Sequence, residues 1–222
     1  MYQPAHFVEN RPEVLHALIR AHPFGLLVTD GPSGLTANGM PFLLDPDPAG
    51  GPGVLRAHVA RANPVWKEAR GDRESLVVFQ GPQGYVSPAW YPSKAEHGKV
   101  VPTWNYIVVQ ARGPVGFIED RDWLRDFVGR LTDTHETARV GAEGGHGKPA
   151  WAVSDAPADY VETMLKAIVG VEIPLTSLVG KWKMSQNRSR ADRDGTAEGF
   201  ASSPGEVAAA LAQAVRDAGN PA

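Results

Sequence analysis

The stretch that decides the fold is FGLLVTDGPSGLTANGMPFLLD, residues 24–45. Two strand-like runs, Phe24–Asp30 and Leu35–Asp45, flank the turn-forming tetrapeptide Gly31-Pro32-Ser33-Gly34. The stretch therefore predicts a β-hairpin.

Segments on both sides of the hairpin extend the pattern. Residues 54–59 alternate, with Leu55, Ala57 and Val59 on one face, which is typical of a half-buried strand. Further strand-like runs lie at 76–79, 107–118 and 169–178, and helical periodicity lies at 12–19, 122–137, 158–167 and 207–218. We expect a β-rich α+β fold, a small antiparallel barrel with peripheral helices, in which residues 1–200 form one domain and residues 201–222 a C-terminal helical tail.

The composition supports strand and turn and excludes several classes of protein. The 222 residues include 24 glycines and 19 prolines, more than a long helical bundle tolerates. The absence of cysteine excludes disulfides, thiolate nucleophiles and cysteine-based metal sites. The net charge of -3 does not support DNA as a partner. Because no apolar run reaches the roughly 18–20 residues of a membrane span and the start lacks a signal pattern, we expect a cytoplasmic protein with no membrane partner.

Four segments carry polar and aromatic residues that plain β structure does not require. They are RAHVARANP (56–64), QGPQGYVSPAWY (80–91), VPTWNY (101–106) and GKWKMSQNR (180–188). In the first, His58 points off the face that carries Leu55, and Arg61 and Asn63 follow where the strand ends and side chains can converge on a ligand. The alternative is a surface histidine followed by an Asn-Pro turn.

The second and fourth segments suggest the two halves of a ligand site. Aromatic side chains around Ser87 would form the wall of a pocket for a planar ligand, or else would close one end of a barrel or build a dimer contact. The cations, hydroxyl and amides of residues 180–188 suit an anionic group, or else form a solvated helix face. Together the segments predict a pocket for a planar, anionic ligand.

The opening MYQPAHF (1–7) and the strings YVSPAWYPSK (85–94), PTWNY (102–106) and KWKMSQN (181–187) closely resemble the PaiB family, described as FMN-binding negative transcriptional regulators. The resemblance covers the chain from Met1 to about Phe200. It implies a split β-barrel, usually a homodimer, with the cofactor at or near the subunit interface.

The resemblance assigns three sets of residues to a bound FMN. Those that would hold the phosphate are Lys183, Ser185 and Asn187, together with Arg61 and Asn63. Those that would line the ring are Ser87, Trp90 and Trp104. Asn105 and Gln186 belong to the same motifs and complete the predicted cofactor-binding set.

One branch of the family implies haem b instead of FMN. This branch consists of haem-dependent enzymes that form the N–N bond of piperazic acid from an N-hydroxylated ornithine. The chain is similar to it at His58, which would be the axial ligand of the iron, and at Lys183, which would act in substrate binding or proton transfer. The chain departs from it by keeping YPSKAEHGK (91–99), which is much shortened in those enzymes.

Three functions follow from these patterns. The first is an FMN- or haem-binding transcriptional regulator or sensor, the second a haem-dependent enzyme resembling piperazate synthase, and the third a flavin-dependent oxidoreductase. The common requirement is that His58, Arg61 and the stretch around Lys183 lie beside one crevice. The His58–Lys183 distance should then be no more than roughly 15 Å, within the subunit or across a partner surface.

Overall fold

The computed structural model describes residues 1–71, 73–144 and 146–219. The strands in these ranges are β1 (Val8–Glu9), β2 (Phe24–Gly31), β3 (Gly34–Pro41), β4 (Leu43–Asp45), β5 (Val54–Ala60), β6 (Glu74–Val86), β7 (Thr103–Pro114), β8 (Gly116–Ile118), β9 (Ile168–Pro174) and β10 (Ser177–Lys183). The helices are α1 (Pro12–Ala21), α2 (Val65–Glu68), α3 (Ser93–His97), α4 (Arg121–Ala142), α5 (Ala158–Lys166), α6 (Arg190–Ala201) and α7 (Glu206–Ala218). Short 3₁₀ helices lie at Ala5–Phe7, Pro88–Trp90 and Val153–Asp155.

The strands form two sheets. One has the order β1-β10-β7-β6-β2-β3, and the other has the order β4-β5-β9-β8. The β1–β10, β2–β3, β4–β5, β5–β9 and β8–β9 pairs are antiparallel. This arrangement confirms the predicted β-rich α+β class with peripheral helices.

The predicted hairpin is present, with a shorter turn and a break in its second strand. The register runs from Phe24 opposite Pro41 to Gly31 opposite Gly34, so the turn has two residues. The run expected to continue to Asp45 is interrupted after Pro41, where the Phe42 amide donates to the carbonyl oxygen of Pro23 (2.9 Å). Residues 43–45 instead pair with β5 in the other sheet.

The chain divides into two compact units, each made of segments that are distant in sequence. The first unit contains Met1–His22, Val78–Gln110 and the described chain from Leu178 onward, and the second contains Pro23–Val77 and Ala111–Ser177. The long strands β6 and β7 contribute residues to both. The division of the chain at residue 200 stays a prediction.

The core of the second unit sets the surroundings of His58. In β5 the predicted inward face, Leu55, Ala57 and Val59, is buried. The adjacent strand β9 approaches α4 so closely that a Cβ atom on Gly170 would lie 2.3 Å from the Trp123 ring. Helix α4 therefore packs directly on the β5–β9 pair.

The four helices that periodicity predicts are present as α1, α4, α5 and α7, and the described ranges also contain α2, α3 and α6, which periodicity does not predict. Helix α1 has Arg11 at its N-cap and Pro12 in its first turn, and the Glu9 carboxylate accepts from the Arg11 amide (2.9 Å). Helix α4 continues to Ala142, five residues beyond the predicted end. No helix in the described ranges is long and apolar enough to span a membrane.

Candidate functional site

A cavity in the second unit opens beside His58. Its volume is about 320 Å³, at the low end of the range for small-molecule sites. Most of its lining comes from helix α4, the 151–156 segment and helix α5: His58, Val128, Thr132, Trp151, Val153, Ala156, Tyr160, Val161, Met164, Leu165, Ala167 and Ile168. The lining is predominantly apolar.

His58 reaches this cavity because of strand alternation. Its neighbours Ala57 and Val59 face the core, so the imidazole leaves β5 on the opposite side and meets the Phe127 ring edge-on at 5.8 Å. Phe127 is itself stacked on Trp123 at 5.3 Å. Strand and helix thus hold the ring in one place.

The imidazole nitrogen Nδ1 of His58 is buried and, among the described residues, has no hydrogen-bond partner. Burial lowers the pKa of His58, so the ring is neutral near pH 7. Buried polar atoms are usually paired, and an unpaired one is a signal of function or of a missing group. A neutral imidazole beside an apolar cavity is suited to ligate a metal-containing planar group.

Large exposed apolar side chains surround the mouth of this cavity. Trp151, Tyr160 and Met164 are each more than 40% exposed. Large apolar side chains that are exposed together beside a cavity are normally covered by a ligand or a partner.

A charge clasp fixes the segment that carries Trp151. Arg139 donates to the carbonyl oxygens of Lys148 (3.3 Å) and Pro149 (3.0 Å), and the Trp151 amide donates to Glu136 Oε2 (2.9 Å). Glu136 and Arg139 pair with each other at 2.7 Å, and the guanidinium lowers the pKa of Glu136. The clasp holds residues 148–151 on α4.

Arg61 and Asn63, predicted to contact a phosphate, are engaged inside the second unit. Arg61 donates to the carbonyl oxygens of Lys166 (2.8 Å) and Ile168 (3.1 Å) and pairs with Glu119. Arg61 therefore fixes the α5–β9 junction, which forms part of the cavity wall.

The side-chain amide of Asn63 is satisfied on both sides. Asn63 Nδ2 donates to Asn38 Oδ1 (2.8 Å), and Asn63 Oδ1 accepts from the Val65 amide (3.0 Å). The Asn-Pro turn thus joins β5 to α2 and to the hairpin strand β3.

Most of the remaining predicted residues lie in a cluster in the first unit around Lys183, at the end of β10. Lys183 Nζ donates to Thr103 Oγ1 (2.6 Å) and to the carbonyl oxygen of Trp104. Burial lowers the pKa of Lys183, and the positive charges of Lys181 and Arg188 lower it further. This concentration of positive charge would be relieved by a bound anion.

Ser185 and Asn105 form a buried pair within this cluster. Asn105 Nδ2 and Ser185 Oγ are 3.1 Å apart, and both residues are almost fully buried. Ser185 has a φ of 64°, a left-handed conformation that few non-glycine residues adopt. The hydroxyl and the amide that the resemblance assigns to a cofactor are used here to fix the turn after β10.

The other predicted residues of the first unit have varied surroundings. Gln186 bonds the Met184 amide and the Trp182 carbonyl oxygen (2.7 Å each), while Asn187 is exposed. Ser87 caps the 88–90 turn by accepting from the Ala89 amide (3.2 Å). Trp104 is 53% exposed and lies 6.3 Å from Tyr85, measured between ring centroids.

Trp90 packs on helix α6 in the first unit. A Cβ atom on Gly199 would lie 2.2 Å from the Trp90 ring, and the Trp90 and Phe200 centroids are 5.1 Å apart. Gly84 allows Leu211 and Phe200 to approach β6 closely, because a Cβ atom on Gly84 would lie 2.7 Å from Leu211 and 2.9 Å from Phe200. The Gly84 contacts hold α6 and α7 against the sheet, and the Gly199 contact holds α6 against the 88–90 turn.

The predicted site residues therefore occur as two groups. His58, Arg61 and Asn63 belong to the second unit, and the others belong to the first. The proximity of His58 to Lys183 stays a prediction. Sequence reasoning did not find Trp151, Tyr160 and Met164 as cavity residues, although the 160, 161, 164, 165 spacing on α5 contained the signal of an apolar stripe with unusually large members.

Comparisons with known proteins point to one family. The model of a family described as "Putative FMN-binding domain" matches residues 1–177. An uncharacterised protein of Aspergillus fumigatus is 36% identical over 256 residues, covering 99% of this chain and 98% of the relative. The protein "Protease synthase and sporulation protein PAI 2" of Bacillus subtilis is 29% identical over 194 residues, covering 86% of this chain and 85% of the relative.

A solved structure confirms the predicted fold. The flavocytochrome Anf3 of Azotobacter vinelandii has a TM-score of 0.55 at 14% identity, with 79% of this chain and 69% of that chain covered. At that identity the likeness concerns the fold alone. The split β-barrel with peripheral helices that the sequence predicts is the fold of this chain.

Proposed function

We propose that this chain, which belongs to the PaiB family of FMN-binding domains, is a sensor or regulator in which His58 ligates the iron of haem b. The observation that supports this proposal most is that His58 lines an apolar cavity while its buried Nδ1 has no hydrogen-bond partner in the described part of the chain. Haem, when bound, supplies an iron centre for redox chemistry or for binding a small gas molecule.

The residues of the cavity fit the group that the proposal requires. His58 is neutral near pH 7 because burial lowers its pKa, and only a neutral imidazole has a free lone pair for iron. Trp151, Tyr160 and Met164 would contact the apolar face of the macrocycle and exclude water from it. The role of Phe127 is to hold the imidazole in place.

The cofactor content of the purified protein tests this proposal. We expect a Soret band and one haem per chain for the wild type, and loss of haem in His58→Ala. The matched control is His135→Ala, because His135 is an exposed histidine on α4 in the same unit. Unchanged iron content in His58→Ala would overturn the assignment.

FMN is the second candidate cofactor, and the cationic cluster of the first unit favours it. Burial lowers the pKa of Lys183, and repulsion by the charges of Lys181 and Arg188 lowers it further; a phosphate would relieve this repulsion. We expect Lys183→Ala to lower the affinity for FMN more than the affinity for riboflavin, since only FMN carries the phosphate. Equal losses of affinity for both ligands would remove the phosphate role.

The biochemical role is the finer part of the proposal. The name of the Bacillus relative concerns protease synthesis and sporulation, which suits a regulator. Retardation of DNA in a gel-shift assay that survives unrelated competitor at physiological salt would support it, and retardation abolished by any competitor would not.

A haem-dependent N–N-forming enzyme and a flavin-dependent oxidoreductase are the enzymatic alternatives, in which Lys183 would bind substrate or move a proton. Turnover of an N-hydroxylated ornithine, or flavin reduction by a nicotinamide nucleotide, would reveal them.

We further propose that the protein acts as a homodimer in the cytoplasm. The hairpin β2–β3 carries an exposed apolar face that includes Phe24 (69% exposed), Leu26 and Leu35 (76% exposed). Alternation places their strand neighbours Gly25 and Leu27 on the opposite, buried side. A second copy of this chain would cover such a face.

A further inference from the structure

A second cavity, in the first unit, lies between the first turn of α6 and the last turn of α7. Its volume is about 330 Å³, and its lining is mainly polar. Arg190 and Arg193 reach it from α6 and Arg216 from α7, while Ala197 and Val215 contribute apolar surface.

The positive charges of this cavity are only partly balanced. Asp194 is the one carboxylate that the described residues contribute to the lining, and it lies 3.7 Å from Arg190 in a largely exposed pair, a geometry that contributes little. Within the described ranges, neither Arg193 nor Arg216 has an ion pair. The other acid of the first turn, Asp192, is occupied by the amide (3.2 Å) and hydroxyl (2.9 Å) of Ser93.

The position of the two α6 arginines adds to the imbalance. Arg190 is the first residue of the helix and Arg193 lies in the same turn, at the positive end of the helix macrodipole. Cations are disfavoured there, whereas an anion is stabilised. An anion held by both arginines would remove this cost.

We propose that this cavity binds a small, multiply charged phosphate group, of the phosphate ester or pyrophosphate class. Guanidinium groups suit such an anion because each can donate two parallel hydrogen bonds to its oxygens. The cavity has the volume of a small-molecule site. Exposed acids on the same helices, Glu198 and Asp217, would repel an extended polyanion such as DNA.

This site is independent of the haem proposal. The family model ends at residue 177, before α6 begins, and the His58 cavity lies in the other unit. Loss of either site leaves the other proposal standing.

Calorimetric titration of the full-length protein with pyrophosphate tests the inference. We expect saturable binding of one pyrophosphate per chain, weakening as salt is raised. Each of Arg193→Ala and Arg216→Ala should weaken it roughly tenfold, because each removes a charge-assisted hydrogen bond. The affinity of Arg193→Lys for pyrophosphate should lie between those of the wild type and Arg193→Ala, since lysine keeps the charge and lacks the planar guanidinium group.

The matched control is Arg20→Ala, which removes an exposed arginine from the last turn of α1 in the same unit. Circular dichroism establishes that each variant is folded. Absence of saturable binding at millimolar pyrophosphate, or an equal loss in Arg20→Ala, would overturn the proposal. DNA retention that depends on Arg193 and Arg216 without pyrophosphate binding would overturn it in favour of a nucleic-acid surface.

Discussion

At the scale of the residue, His58 shows how far alternation alone can be used. The sequence places Leu55, Ala57 and Val59 on one face, and that face is buried. The opposite direction of His58 follows from the same rule. What lies in that direction could not be predicted, because Trp151 and Tyr160 come from segments about a hundred residues later in the chain.

The lowered pKa of His58 predicts a pH dependence of stability. In the unfolded chain the imidazole titrates near its ordinary value of 6.5, whereas in the fold it protonates only at a lower pH. Between these two values the unfolded state binds more protons, so the free energy of unfolding falls as pH decreases through this window. We expect denaturant titrations of the cofactor-free protein to show this loss below about pH 6.5. His58→Gln should reduce the slope of the free energy of unfolding against pH. An unchanged slope would contradict the assignment of this pH dependence to His58.

The predicted cofactor residues illustrate a second lesson at this scale. Ser185 and Asn105 belong to the motifs that identify the family, yet each satisfies the other inside the protein. Asn63 likewise bonds Asn38. A motif therefore includes residues that build the turn as well as those that touch a ligand, and residue types alone cannot separate the two.

At the scale of the element, most helices and strands were predictable, and the failures have identifiable causes. The strand after the hairpin divides at Pro41, because proline lacks the amide that would continue the ladder. Helix α4 extends through Arg139 and Gly141 because tertiary contacts outweigh glycine's low propensity. The Glu136–Arg139 clasp is one such contact, and it has a consequence for the cavity.

Removing the clasp should loosen the mouth of the His58 cavity. In Arg139→Ala, the Lys148 and Pro149 carbonyl oxygens lose their hydrogen-bond donor, and Glu136 loses the Arg139 guanidinium as its ion-pair partner. We expect faster hydrogen exchange at the Trp151 amide, together with faster dissociation of the bound cofactor. Thr137→Ala, an exposed change on the same helix, serves as the control. Exchange at Trp151 that is no faster than in this control would show that the clasp does not fix the segment.

At the scale of the whole molecule, the glycine and proline content and the alternation of apolar residues predicted a β-rich fold. The family resemblance predicted the split barrel. The two compact units could not have been foreseen, because each combines segments that are distant in sequence. The contacts of α7 were also not predictable from its short alanine-rich pattern. They depend on Gly84, where a Cβ atom would lie 2.7 Å from Leu211.

The exposed apolar face of the hairpin predicts the assembly state. Phe24→Asp places a charge within the proposed contact between two copies, where burial would be costly. We expect light scattering after size exclusion to give twice the chain mass for the wild type and a smaller mass for this variant. Thr137→Asp, which adds the same charge at an exposed position of α4 in the same unit, should leave the mass unchanged. A monomeric wild type would contradict the homodimer.

The most direct test of the role of His58 is a haem titration of the His58→Gly variant with and without added imidazole. Removing the side chain should abolish tight haem binding, and free imidazole should restore the Soret band by entering the space that His58 leaves beside Phe127. The wild type should bind one haem per chain without imidazole. Haem binding by His58→Gly that equals the wild type and does not respond to imidazole would show that His58 is not the iron ligand.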